Sequence, residues 1–373
     1  FKYFDFFADN FIAAASLFGV KLQRWTLDIL LPAGISFYSF QTIGYTVDVY
    51  RGDLSPRRNV LDFALFVSFF PQLVAGPIER AATLLPQIEC KQRWDWERFL
   101  SAWPLLIAGF FKKLVIADNA AIYANKVFAL NTPSRFLLLA GTISFALQIY
   151  ADFSAYTDIA RGSARLLGIE LSPNFKAPYA AVSPSDFWRR WHISFSTWIR
   201  DYLYIPMGGS RTKSRWRAAV IVIVTFTLSG LWHGAAWNFV AWGLFHAALI
   251  LLYRGIGFGR VLHPEGIKRG IAVSVMSSFT LLSWSLFRAP SLSWLYRAAI
   301  SNTTTVAATR DALVVGSIIF LWTAVLSALL LLTGWIESPK RSKSMRAMIM
   351  ALLLFLILVL APDNRQDFIY FQF

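Results

Sequence analysis

The chain has 373 residues, of which 56% are hydrophobic and 16% aromatic, with a mean hydropathy of +0.50. That is more apolar surface than one soluble core can bury, so the composition excludes an ordinary soluble protein and points to an all-α polytopic integral membrane protein. The formal charge of +15 does not mark a nucleic-acid binder, because the basic residues cluster beside apolar runs, as cytoplasmic loops do under the positive-inside rule.

The single cysteine, Cys90, excludes an intrachain disulfide and a multi-cysteine metal site, and no metal site is expected. It lies in a polar loop without an adjacent histidine, so nothing there activates a thiolate. Position one is Phe, and no basic n-region with a cleavage site follows it, which leads us to expect spans upstream of this chain.

Taken in order, residues 1–20 are aromatic but interrupted by Asp5, Asp9 and Asn10, which suits an interfacial helix or the tail of a span. Residues 27–47 read as a span with a kink at Pro32 and Gly34. The apolar run from Val60 is broken by Pro71, Gly76 and Pro77; irregular backbone at membrane depth needs protein or a water-filled cavity around it, so this segment should line the interior. Residues 99–117 carry Lys112 and Lys113 in tandem, which predicts a tilted or partly interfacial helix. The span over 135–159 contains Asp152 and Asp158 near its end; they read as acids hydrated at the helix end or paired with Arg161 or Arg165, or as residues lining a passage. Further spans are predicted over 270–287, 312–335 and 345–360, giving about nine embedded helices in a single membrane domain, 1–373.

Residues 183–246 concentrate the chemistry. Ser183 and Asp186 form a capping box with Pro184 at the first helical position, so a helix is expected to start there and run to Pro206. On it, Trp188, Trp191, His192, Phe195, Ile199 and Tyr202 recur at helical spacing, while Arg189, Ser196 and Arg200 fall on another face. From spacing alone His192 is either a core residue or a site residue. The arginines, Arg190 among them, can meet lipid headgroups or a phosphate-bearing donor.

A single helix over 218–252 would be about 50 Å long against about 30 Å of hydrocarbon, so it must break, and Gly230 and Gly234 mark the place. Both ends of this unit are basic, as expected of a segment that dips into the membrane and returns, with a break inside a full crossing as the alternative. His233 sits in the break, where an ionisable side chain is a functional candidate, although a structural role stays open. A desolvated imidazole there can act as general base toward an acceptor hydroxyl, with Ser229, Asn238, Trp232 and Trp237 orienting the ring or shaping a narrow passage. His246, thirteen residues on, falls on the opposite face of a continuous helix and reads as structural, as does His263 in its loop. No nucleophile elbow, zinc-binding histidine pair or phosphate loop is present in the sequence.

The segments D-F-W-R-R-W-H-I-S-F-S-T-W-I-R-D-Y-L-Y-I-P-M-G-G, L-S-G-L-W-H-G-A-A-W-N-F, F-F-P-Q-L-V-A-G-P-I-E-R and the terminal F-I-Y-F-Q-F together resemble the membrane-bound O-acyltransferase family, in its bacterial alginate O-acetyltransferase branch. The resemblance runs the length of the chain. It implies a bundle with broken and re-entrant helices around a central passage, in the bacterial cytoplasmic membrane. It further implies transfer of an acyl group, typically acetyl, from a cytoplasmic donor such as acetyl-CoA or another acyl thioester, with no bound cofactor. The acceptor it implies is an exopolysaccharide outside, in concert with an extracytoplasmic acetyltransferase partner. The family's W-H-G histidine corresponds to His233, and that of W-R-R-W-H-I-S to His192. Ala155 and Ala236 depart from the usual pattern by small substitutions. D-alanyl transfer to teichoic acid, and a transporter or flippase without chemistry, remain as alternatives.

Overall fold

The structure is a computed structural model that describes residues 3–24, 26, 32, 34–73, 75–257, 264–300, 306–336 and 341–369. His263, and the part of the predicted first span at 27–31 and 33, lie outside the described residues. Among the described residues the regular elements are all helical. The first six are α1 (Phe4–Leu17), α2 (Ile35–Arg51), α3 (Val60–Ser68), α4 (Ala81–Glu89), α5 (Trp96–Phe111) and α6 (Asp118–Phe128). They are followed by α7 (Arg135–Leu166), α8 (Pro184–Trp188), α9 (Ile193–Ile199), α10 (Arg215–His233) and α11 (Trp237–Gly255), then α12 (Gly266–Arg288), α13 (Leu292–Ile300), α14 (Val306–Ile336) and α15 (Lys343–Leu360).

Among the described residues, six helical stretches are long and apolar enough to cross a membrane: 96–128, α7, α10, α12, 310–336 and α15. This is fewer than the nine embedded helices expected, for a physical reason. Helix α2 is only 17 residues long, and α11 dilutes its apolar run with Asn238, His246 and Arg254. The apolar run from Val60 ends as a helix at Ser68 and continues through turns to Arg80, where Gln72, Ala75 and Ile78 are buried, so it packs inside the protein as expected.

Helix α7 is the central element, packed against α5, α6, α12, α13 and α14. A π turn over Lys112–Ala117 joins α5 to α6 without a break, and at this wider turn both tandem lysines reach α7. Both lysines are paired inside the protein: Lys112 Nζ lies 2.5 Å from Asp158, and Lys113 Nζ lies 3.0 Å from Asp152 and 2.9 Å from Asp118. Of the pairings expected for the acids, Arg161 with Asp158 is present at 3.8 Å, while Arg165 pairs with Glu170 instead. Charges this deep persist because each is matched by an opposite one.

Helices α10 and α11 form an antiparallel hairpin. An ideal Cβ at Gly230 would lie 2.2 Å from the Phe239 carbonyl oxygen, and one at Gly243 2.2 Å from that of Phe226. Only glycine allows backbones to approach so closely.

Candidate active site

The helix expected to run from Ser183 to Pro206 is interrupted. Ser183 Oγ accepts the amide of Asp186 at 3.2 Å, as a capping residue should, but α8 ends at Trp188. The chain then turns, places His192 in the left-handed region (φ 42°, ψ 58°), restarts as α9 and widens into a π turn over Arg200–Tyr204. A non-glycine residue there costs on the order of 1 kcal/mol and persists where its surroundings over-determine it.

Asn174 supplies that determination. Its backbone carbonyl accepts the Ile193 amide at 2.9 Å. Its side-chain oxygen accepts the Ser194 amide at 3.2 Å and the Ser194 hydroxyl at 2.6 Å. The Ser194 hydroxyl in turn accepts the Ile78 amide at 2.9 Å, which ties the broken segment after α3 to the same turn.

His192 is 1% exposed. Its Nδ1 lies 3.4 Å from Asn174 Oδ1. Because a backbone N–H can only donate, the Asn174 atom facing Ser194 must be the oxygen, and Nδ1 must then donate to it. That leaves Nε2 with a lone pair, and this buried nitrogen has no hydrogen-bond partner among the described residues. Burial, reinforced by the charge His233 can carry, holds the His192 pKa well below the ordinary imidazole value.

His233 is the last residue of α10. Gly234 follows in fully extended backbone, and α11 begins at Trp237. The His233 ring lies 4.8 Å from Trp232, 5.1 Å from Trp242, 5.1 Å from Phe287 and 6.0 Å from Phe195. The His192 ring lies 5.0 Å from Phe195, nearly parallel to it, and 6.4 Å from Trp232. Phe195 and Trp232 stack at 4.5 Å. The two histidines, 41 positions apart in sequence, thus share one aromatic pair.

The remaining candidates divide. Trp232 belongs to this cluster, and its carbonyl accepts the Tyr3 hydroxyl at 3.2 Å. Trp237 does not: it is 57% exposed and donates to Asn10 on α1 at 3.0 Å. Asn238 donates to the carbonyl of Ala289 at 3.2 Å, fastening the hairpin to the end of α12 beside Phe287. Ser229 donates to the Thr225 carbonyl at 2.9 Å and lines a cavity of about 140 Å³ together with Phe195 and Arg200. Asp152 and Asp158 are engaged in the ion pairs of α7. His246 is corrected in position: the break after His233 swings α11 back, so that the Trp242 ring contacting His233 also lies 4.7 Å from His246.

Arg189 and Arg190 line a second, larger cavity of about 970 Å³, joined there by Arg215, Arg254 and Arg269. Asp186 is the acid in this lining, paired with Arg190 at 2.9 Å, so the cavity keeps a large positive excess. Arg200 pairs with Asp201 at 2.7 Å. Arg254 lines both cavities. Asn174 and Ser194 are the residues sequence reading missed. Ser194 lies two positions after His192, but nothing in the spacing shows that 174 and 192 meet.

The described residues are helical, and they bring His192, from the turn between α8 and α9, and His233, at the end of α10, against one aromatic pair. The chain belongs to the membrane-bound O-acyltransferase family, whose model matches residues 50–262, including both histidines. It is accordingly a multi-pass inner-membrane protein.

It is 40% identical over 296 residues to a probable alginate O-acetylase of Pseudomonas putida, covering 78% of this chain and 59% of that protein. It is 36% identical over 319 residues to a peptidoglycan O-acetyltransferase of Helicobacter pylori, covering 78% and 59%. A teichoic acid D-alanyltransferase of Bacillus subtilis is 30% identical over 239 residues, covering 59% and 58%. The chain spans less than two-thirds of the length of these curated relatives.

Proposed function

We propose that the protein is a membrane O-acyltransferase that moves an acyl group, acetyl in this reading, from a cytoplasmic thioester toward hydroxyls of an extracytoplasmic polysaccharide. The observation that carries the proposal is the meeting of His192 and His233 across Phe195 and Trp232. In the reaction, His233 takes the proton of the acceptor hydroxyl as its oxygen attacks the thioester carbonyl. The new C–O bond forms, the C–S bond breaks, and the imidazolium returns its proton to the departing thiolate. His192, fixed by Asn174 with a free Nε2, accepts a hydrogen bond in the same pocket and orients the reacting partner. The rings packed around His192 bury it, which limits water at that side of the pocket.

The arginine cavity supports a phosphate-bearing donor such as acetyl-CoA, since guanidinium groups bind phosphate bidentately and the donor is a substrate instead of a resident cofactor. Anionic lipid headgroups are a second occupant with the same chemistry. The smaller cavity, sharing Arg254 with the larger and Phe195 with the histidines, gives the thioester arm a route inward. The names of the alginate and peptidoglycan relatives favour a glycan acceptor; the further part of the proposal is that a separate extracytoplasmic acetyltransferase completes delivery. Likeness to the teichoic acid enzyme favours D-alanyl transfer as a second reading, at lower identity.

The test is the acetyl-ester content of secreted polysaccharide from cells carrying the full-length gene or its His233→Ala version at matched membrane levels. Loss of acetyl with normal insertion is expected. Unchanged acetyl overturns the proposal and favours transport without chemistry.

A further inference from the structure

The segment that follows α15 returns across the buried side of α7 and is fastened there at several points. The Leu360 carbonyl accepts from Asn119 at 2.9 Å. The Gln366 carbonyl accepts from Lys113 Nζ at 2.9 Å, and the Gln366 side chain accepts from Asn125 at 3.2 Å. The Ile369 amide donates to Asp152 Oδ2 at 2.7 Å. Lys113 and Asp152 therefore bind the returning segment with the same groups that pair them to each other. Between these fastenings Phe368 lies 5.0 Å from Tyr156 and 6.2 Å from Phe153.

Phe153 follows Asp152 directly on α7, and its ring meets His192 edge-on at 4.6 Å and 82°. The hydrogen bond from His192 to Asn174 is long, at 3.4 Å, so the tilt of the imidazole is set mainly by the rings around it. Phe195 covers one face of the imidazole, Phe153 meets it at an edge, and Phe368 backs Phe153.

We propose that Phe368 is a positioning residue for His192, acting through Phe153, and that the buried Lys113–Asp152 pair is the anchor that holds it in place. The proposal rests on the reading of His192 as an active-site group. It assigns a role in the reaction to a residue 176 positions beyond that histidine, counted from the sequence. Loss of the Phe368 ring lets Phe153 tilt. Misplacement of a reacting group by about 1 Å costs up to roughly 100-fold in rate.

The experiment uses the full-length gene with Phe368→Ala, Phe368→Leu and Phe368→Tyr, reading polysaccharide acetyl esters per molecule of membrane-inserted protein, with His192→Ala alongside. Expected are a loss of about 10-fold or more for Ala, a smaller loss for Leu, and recovery with Tyr, which restores a ring against Phe153. Phe153→Leu should lower acetylation, and adding Phe368→Ala to it should lower it no further. Where the Ala variant does not insert, the Leu variant carries the comparison.

Unchanged acetylation in inserted Phe368→Leu and Phe368→Ala proteins, or a Tyr variant no better than Leu, overturns the positioning role. Additive losses from Phe153→Leu and Phe368→Ala do the same, since the effect would then not pass through Phe153. Normal acetylation in His192→Ala overturns the reading of the site itself, whereas loss in His192→Ala with none in the Phe368 variants overturns only this inference.

Discussion

Asn174 fixes which nitrogen of His192 is free. Its side-chain oxygen faces the Ser194 amide at 3.2 Å and His192 Nδ1 at 3.4 Å, so the proton resides on Nδ1 and the lone pair on Nε2.

Replacing Asn174 separates orientation from charge. Asn174→Ala leaves the Ser194 amide and Nδ1 without an acceptor, and acetylation should fall on the order of 10²-fold. Asn174→Asp keeps an acceptor but adds a negative charge beside the ring, which favours imidazolium and raises the His192 pKa. The acid limb of the pH–rate profile should therefore move to higher pH in Asn174→Asp. An unmoved limb would show that His192 does not titrate in the reaction.

The depressed pKa of His192 also predicts how stability depends on pH. In the unfolded chain the imidazole takes up a proton near its ordinary value of 6.5, while in the folded protein it does so only well below that. Between these two values the unfolded state binds more protons, so folding stability is lost as pH falls below about 6.5 and is insensitive to this group above it. Thermal unfolding in detergent between pH 7.5 and 5 should show a shallower slope for His192→Gln than for the parent protein. Equal slopes would contradict this account.

The hairpin contact predicts a sharp difference between glycines. Gly230→Ala drives a methyl group to 2.2 Å from a carbonyl oxygen and should destabilise by about 1–3 kcal/mol, the usual cost of overpacking. Gly255→Ala, with nothing within 4 Å of the added carbon, should be close to neutral. Unfolding midpoints of the two purified variants decide the matter.

The buried pair between Lys112 and Asp158 predicts non-additivity. Lys112→Met leaves a carboxylate with its principal partner gone and should cost about 3–5 kcal/mol, whereas Lys112→Met combined with Asp158→Leu should recover most of that loss. A double-mutant cycle on detergent-solubilised protein measures the coupling; additive losses would mean that the pair contributes little.

Much of this molecule is legible in the sequence because hydrophobicity along a chain reports its crossings directly. Helices α7, α12, α14 and α15 lie where apolar runs place them, and the break beside His233 follows from a run too long for a membrane. What the sequence hides is contact between distant segments. Spacing made Trp188 through Tyr202 one continuous stripe, whereas Asn174, 18 positions before His192, pulls the backbone out of the helix. In the same way, Lys112 and Lys113 look interfacial until the acids of α7 are seen opposite them. Continuous-helix geometry put His246 on the wrong side because a three-residue break is enough to reverse direction.

The glycine contacts of α10 and α11 have a consequence for access. Two helices that touch backbone to backbone at Gly230 and Gly243 cannot slide past one another without lifting apart, so the end of α10 that carries His233 is held at a fixed level relative to α11. In the proposed reaction an acceptor hydroxyl and an acyl carbonyl must both travel to that level. The distance each partner can reach from its own side of the membrane then becomes the quantity that selects substrates.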